Sequence, residues 1–291
     1  MEFDYVIVGA GSAGCVLANR LSADPSIRVA LVEAGGRDWY PWIHIPVGYF
    51  KTMNNRSYDW CLTTEPDPGL NGRSIRWPRG KVLGGSSSIN GLLYVRGQPR
   101  DYDIWAQMGN RGWSWSDVEP YFRKAEGSRD CDDGILGSDG PLAVSEPRLQ
   151  SPVCDAWIEA AEKCGYRKNA NYNGVDQEGV GHFFQTARDG LRSSTARAFL
   201  KPVRNRPNLE VFTAHQVRHL TFQDKRASGI VCSYGDDERT IHARREVVLS
   251  AGAIGSPQIL MLSGIGAPEH LGEHGIATQV ALPGVGGNLQ D

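Results

Sequence analysis

The chain opens on an unbroken apolar run. Tyr5–Val8 (YVIV) is short and β-branched and has no polar alternation, which predicts a strand buried on both faces. A cluster of glycines follows. Val16, Leu17, Ala18 and Leu21 then fall on or near one side of a helical wheel, predicting a helix over Ala13–Leu21. Asp24-Pro25-Ser26 punctuates the chain, and Val29–Val32 (VALV) predicts a second buried strand, closed by Glu33. Strand, helix and strand in this order read as a βαβ unit.

The middle of the chain is polar and less periodic. Ser114 or Ser116 is placed to cap a helix running toward Ala125, and Trp157–Cys164 has an amphipathic pattern. "CDDGILGSDGPLAV" predicts a loop that returns to an extended run. Periodicity sharpens again near Leu209–Thr213, a predicted strand. From Val217 to Leu249, short strands separated by turns at Asp224-Lys225 and Gly235-Asp236-Asp237 predict a β-meander. "VVLSAG" (Val247–Gly252) reads as a buried strand ending in small residues, and Ser256-Pro257 as a helix start. The expected fold class is α/β: a Rossmann-like domain with a parallel sheet and a β-meander.

Composition narrows the function. The 291 residues are 22% charged with a net charge of −2, which favours neither nucleic acid nor an anionic membrane as partner. Glycine is enriched, 35 residues against a usual share of roughly 7%, without a collagen-like period, so the excess marks tight turns and close backbone approaches. Cys15, Cys61, Cys131, Cys154, Cys164 and Cys232 form no CxxC pair or zinc spacing, as expected of free thiols in a reducing compartment. "MEFDYVIVGAG" has no basic region before a cleavable apolar stretch, and no apolar run approaches the roughly 18 residues of a membrane span. A cytoplasmic location is expected.

The glycines after the first strand carry chemistry. Gly9, Gly11 and Gly14 have GxGxxG spacing. Gly9 permits the tight turn, Gly11 lets backbone approach a pyrophosphate, and Gly14 lets the helix pack closely. Ser12 and Ala13 would present helix N-terminal amides to phosphates. Glu33, nineteen residues after Gly14, ends the second strand where ribose hydroxyls would meet it, with Ala34 beside it. The motif alone does not separate NAD from FAD, but an acid at this point disfavours the 2′-phosphate of NADP.

A second glycine-rich stretch, "GKVLGGSSSINGLLYVRG" (Gly80–Gly97), needs a reason to be ordered. Gly84-Gly85 permit close approach, and Ser86, Ser87 and Asn90 offer side-chain hydrogen bonds. The region Thr64–Trp105 resembles the glucose–methanol–choline (GMC) oxidoreductase family, in particular its choline-dehydrogenase-like members. The first family signature matches Gly80–Asp103. "GAIGSPQILMLSGIG" (Gly252–Gly266) resembles the second, and "LPGVGGNLQD" is similar to a further family segment.

This resemblance implies FAD, a large flavin-binding domain and an interleaved substrate domain. It also implies oxidation of an alcohol by hydride transfer to flavin N5, with oxygen or another acceptor such as a quinone or dye taking the electrons. By resemblance Val82 and Asn90, Gly91, Leu92 and Leu93 line the flavin, Val217 contacts the adenine end, and Ala251 lies at the cofactor. Val217 read on its own is equally an alternating strand residue. Where some members bind flavin covalently through a histidine, this chain has Ile89, so non-covalent FAD is expected. The expected division is 1–148 and 191–291 for FAD and 149–190 for substrate, where Trp and Tyr line a pocket or the core.

The seven histidines are His44, His182, His215, His219, His242, His270 and His274, and none matches the family's catalytic position. His270 and His274, four apart, lack a third metal ligand, and a solvated helix face is expected. Family members continue beyond the point matched by Asp291. The expectation is therefore an N-terminal portion without the catalytic base, inactive alone, since a lost general base costs about 10²–10⁴-fold. The alternatives are a non-catalytic FAD-binding subunit needing a partner chain and an NAD-linked Rossmann enzyme.

Overall fold

The computed structural model describes residues 1–129, 134–149, 151–174 and 176–289. Cys131 and parts of the predicted 131–144 loop and of the C-terminal segment lie outside them. The chain divides into two compact units. One holds Met1–Ile43, Tyr49–Ile89 and the described residues from Thr195 onward, and the other holds His44–Gly48 and Asn90–Ser194.

The first unit is built on a six-stranded sheet. In chain order its strands are β1 (Glu2–Val8), β2 (Val29–Val32), β3 (Leu209–Phe212), β4 (Gln216–Gln223), β5 (Arg226–Tyr234) and β6 (Asp237–Leu249), in the spatial order β3-β2-β1-β6-β5-β4. The first four in that order pair in parallel, and β6-β5-β4 is the antiparallel meander the turn residues predict. Val6–Val8 and Val29–Val32 are buried, with Val6, Ile7 and Val29–Leu31 at 0% exposure, while Tyr5 is half-buried, as suits a largely covered parallel sheet. Phe3, Phe212, Ile230, Ile241 and Ile259 continue this core.

Register sets the site. Val8 is level with Val32 on one side and Leu249 on the other, so β1, β2 and β6 end together. Gly9, Glu33 and Ser250 therefore emerge side by side at the carboxyl edge, and the strand order reverses at β1. Ligands of open parallel sheets bind at such a point.

Helix α1 (Ser12–Leu21) follows β1 as predicted, and α2 (Gly252–Leu262) follows β6. The second helix begins earlier than expected. β6 stops at Leu249, and Gly252 (φ +82°) turns the chain directly into the helix. Pro257 thus lies inside the helix instead of opening it, where it has no N–H to donate to the Ala253 carbonyl.

The second unit is tied by short pairings. Leu93–Tyr94 runs antiparallel to Phe184–Gln185, and Glu126–Ser128 runs parallel to Leu142–Val144. Ser145 and Gln185 exchange backbone hydrogen bonds at 3.0 and 2.8 Å. These long-range links belong to the second compact unit, which takes in His44–Gly48 as well as Asn90–Ser194. Ser114 caps the helix Trp115–Ala125, with Asp117 Oδ2 accepting from the Ser114 N–H at 3.1 Å. The predicted amphipathic helix spans Pro152–Lys163. Its Trp157 and nearby Tyr166 are exposed, while Tyr172 stacks on Phe183 at 4.9 Å.

Beneath these pairings sits a buried charge network. Arg96 Nε donates to Glu126 Oε1 at 2.7 Å and Nη2 to Oε2 at 2.5 Å. The Tyr94 hydroxyl donates to the same carboxylate, as does the Gly137 N–H at 2.8 Å. Burial opposes the Arg96 cation, but the Glu126 carboxylate outweighs it and holds the guanidinium pKa up. Burial foremost, and then Glu126, push the Tyr94 phenol up.

Candidate functional site

The two glycine-rich loops touch. The Gly84 N–H donates to the Ala10 carbonyl at 2.7 Å, and a Cβ on Gly85 would lie 2.7 Å from Gly11 Cα. Only a glycine at 85 allows this approach, and Gly84 (φ +90°) and Gly85 (φ +53°) also adopt left-handed backbone. Both loops border one cavity of about 580 Å³, within the roughly 300–1,000 Å³ usual for small-molecule sites.

Nine of the expected cofactor residues line that cavity. Gly9, Gly11, Ser12 and Ala13 come from the first loop, Glu33 and Ala34 from the end of β2, Gly85 from the second loop, Val217 from β4 and Ala251 from the turn into α2. Gly14 acts behind the wall: a Cβ there would sit 1.9 Å from the Gly9 carbonyl oxygen, so its absence lets α1 seat on the turn. Gly11 differs. A Cβ there would find no protein atom nearer than 3.9 Å, so this glycine keeps a stretch of cavity wall low without easing any protein packing.

The other expected residues lie off the cavity lining. Val82 is fully buried in a cluster with Ile43 and Ile89. Gly84 packs against Ser88 and Ala196. The Ser87 hydroxyl bonds within the protein, to the Gly84 carbonyl at 2.6 Å and to Thr195 Oγ1 at 2.9 Å. Asn90, Gly91, Leu92 and Leu93 belong to the second unit. There Arg192, 1% exposed, donates to Asn90 Oδ1 at 2.6 Å and to its carbonyl at 2.8 Å. Burial pulls the Arg192 guanidinium down to about 10. Asn90 Oδ1 also accepts from the Leu92 N–H at 3.1 Å and so braces Leu92 in left-handed backbone (φ +66°), an arrangement that costs about 1–3 kcal/mol.

Glu33 is the acid of the cavity. Its Oε2 accepts from the Ala10 N–H and its Oε1 from the Gly35 N–H, both at 2.8 Å, which leaves a lone pair on each oxygen. Burial pushes its pKa up to about 7, against the pull of these two amides and Lys81. The sign follows from linkage. A raised folded-state pKa favours folding below the carboxyl's ordinary value near 4.5, and that advantage is lost as pH rises through about 7. Above that the fold carries a buried carboxylate that a hydroxyl-bearing ligand would solvate.

The donor set suits an anion as well. No side chain caps α1, and the amides of its first turn face the cavity through Ser12 and Ala13. The first turn of α2 lines the same space, so two positive helix ends converge there. A diol-accepting carboxylate, glycine-lowered walls and two helix N-termini fit a diphosphate-bearing dinucleotide.

Sequence patterns did not mark Trp60, Leu62, Arg79 and Gln216, which complete the wall. Trp60 and Arg79 are brought together by an Asp59–Gly80 bridge, a pairing no local pattern encodes. Cys15 is buried, and that burial pushes its thiol up to about 12. The His270 and His274 rings meet edge to face at 4.9 Å, and no group of three metal-ligating residues occurs among the described residues. Nor is any helix among them long and apolar enough to cross a membrane.

Fold and cavity together define a dinucleotide-binding α/β protein. The family profile described as GMC oxidoreductase matches residues 3–291, and the chain belongs to that family. It is 46% identical over 291 residues to an oxygen-dependent choline dehydrogenase of Brucella anthropi, and 47% identical over 296 residues to an alcohol dehydrogenase [acceptor] of Pseudomonas putida. These alignments cover 100% and 99% of this chain and 53% of each relative, so the chain spans about half the length of the curated relatives it matches. Among solved structures, an FAD-dependent oxidoreductase from Chaetomium thermophilum superposes with a TM-score of 0.93 at 34% identity, covering 99% of this chain and 52% of that one.

Proposed function

We propose that this chain is the cofactor-binding portion of an FAD-dependent GMC enzyme that oxidises an alcohol. The observation that carries this is one cavity bordered by Gly9, Gly11, Ser12, Ala13, Gly85 and Glu33. FAD, when bound, supplies an acceptor for the hydride of a CH–OH donor. The chain's own residues hold and orient it. The amides of Ser12 and Ala13 and the helix ends offset the diphosphate charge, Glu33 accepts from ribose hydroxyls, and the Val217 backbone meets the adenine.

Asn90, Gly91, Leu92 and Leu93 are assigned to the flavin by family resemblance, and the clamp by Arg192 supports a positioning role for that turn. Binding is non-covalent in this reading, because the hydrocarbon Ile89 stands at the attachment position and is 2% exposed. The first compact unit takes the cofactor role and the second the substrate role. The named relatives favour a small alcohol as substrate and oxygen or another electron acceptor as oxidant.

Titration with FAD at two pH values tests this. Ligand hydroxyls favour ionised Glu33, so affinity should rise from pH 6 to pH 8, through the carboxyl's value of about 7, and then level off. Glu33→Gln should bind more weakly at both, with a flat profile. Absence of saturable FAD binding, or preference for NAD, would contradict the proposal.

A further inference from the structure

Two charged residues stand among those that line the cavity, Glu33 and Arg79. Glu33 has been accounted for. Arg79 has no role in the fold that needs its charge.

Its backbone is firmly held. The Arg79 N–H donates to Asp59 Oδ1 at 2.9 Å, and its carbonyl accepts from the Trp60 N–H at 2.9 Å. The buried Asp59 carboxylate is otherwise spent on the Asn54 and Cys61 amides. The guanidinium lies over the Trp77 ring, 4.7 Å from its centre, and Nη1 donates to the Pro78 carbonyl at 2.8 Å. Among the described residues it makes no ion pair. A guanidinium has five donors in a planar fork shaped for phosphate oxygens, and stacking on an aromatic face leaves that fork available.

The surroundings favour an anion. Arg79 adjoins Gly80, whose N–H donates to Ser86 Oγ at 3.1 Å, and Ser86 and Gly85 follow on the same wall. Gly85 in turn abuts Gly11, at the entrance to α1. Arg79 and the two helix N-termini therefore bias the same cavity toward negative charge.

We propose that Arg79 is a binding residue for the diphosphate of the cofactor, gripping its oxygens with the free edge of the guanidinium. This rests on the FAD reading above and adds to it the residue that selects a charged bridge over an uncharged nucleoside.

The test separates charge from packing by comparing ADP with adenosine, both titrated against the protein. Arg79→Met keeps much of the apolar stem and removes the fork. It should weaken ADP by about tenfold to a hundredfold, the worth of one or two charge-assisted hydrogen bonds, and leave adenosine unchanged. Arg79→Lys should recover part of the ADP affinity, with a steeper salt dependence than Arg79→Met. Equal losses for both ligands, or an unchanged ADP affinity in a variant with wild-type circular dichroism, would overturn the proposal. If the wild-type protein binds neither ADP nor FAD, the FAD reading fails and this assignment falls with it. Wild-type binding of ADP that is indifferent to Arg79 sinks the assignment alone.

Discussion

Gly14→Ala should destabilise the first unit and abolish cofactor binding, although alanine is the better helix former. Intrinsic propensity alone would favour the change by up to about 1 kcal/mol. Packing reverses the sign. The added Cβ would stand 1.9 Å from the Gly9 carbonyl oxygen, whereas ordinary contact begins at 3.4 Å, so the helix start must retreat by the difference of about 1.5 Å or the Gly9 turn must open. Overpacking of this kind costs roughly 1–3 kcal/mol and sometimes more. Either movement also displaces the Ser12 and Ala13 amides from the cavity wall. Gly11→Ala is the control, since its Cβ has 3.9 Å of clearance from protein and should leave the melting temperature unchanged while weakening FAD. Thermal melts and FAD titrations of the two variants check this. A Gly14→Ala protein as stable and as tight-binding as wild type would show that α1 does not seat on the turn as described.

The second large effect is expected at Glu126. Arg96 and Glu126 are 4% and 0% exposed and bonded through both carboxylate oxygens. Glu126→Gln keeps the shape but leaves the guanidinium without its counter-charge. Breaking one side of a buried pair costs about 3–5 kcal/mol. For a domain of this size that lowers the melting temperature on the order of 10 °C. Replacing the pair together, as Arg96→Met with Glu126→Leu, should recover much of the loss, because two desolvation penalties disappear with the attraction. An unchanged melt for Glu126→Gln would refute the network's structural role. A double variant no better than the single would place the energy in the surrounding Tyr94 and Gly137 hydrogen bonds instead.

What the sequence disclosed depended on the range of the interaction. Val29–Val32 reads as a buried strand from four consecutive apolar residues, and the structure gives the same four. The GxGxxG spacing and the acid after β2 are local, so the first wall of the cavity was legible before any coordinates. The touching of Gly85 and Gly11, some seventy positions apart, was not, although the excess of glycine hinted at such approaches. No local pattern marks Arg79; its pairing opposite Trp60 brings it to the wall. Nothing local marks Arg96 and Glu126 as partners, since burial of a paired charge leaves no hydrophobic period. The pairing of Leu93–Tyr94 with Phe184–Gln185, about ninety residues apart, was hidden because no local pattern encodes it. Pro257 misled through a sound rule: proline favours the start of a helix, but here Gly252 had already begun it.

A crystal structure of this chain grown with FAD is the most direct test of the central claim. The account predicts the diphosphate over Gly11, Ser12 and Ala13 with Gly85 on its other side, a ribose on the Glu33 carboxylate, and adenine beside Val217. Electron density for the dinucleotide elsewhere, or bound in this cavity without touching Glu33 or the first turn of α1, would contradict it.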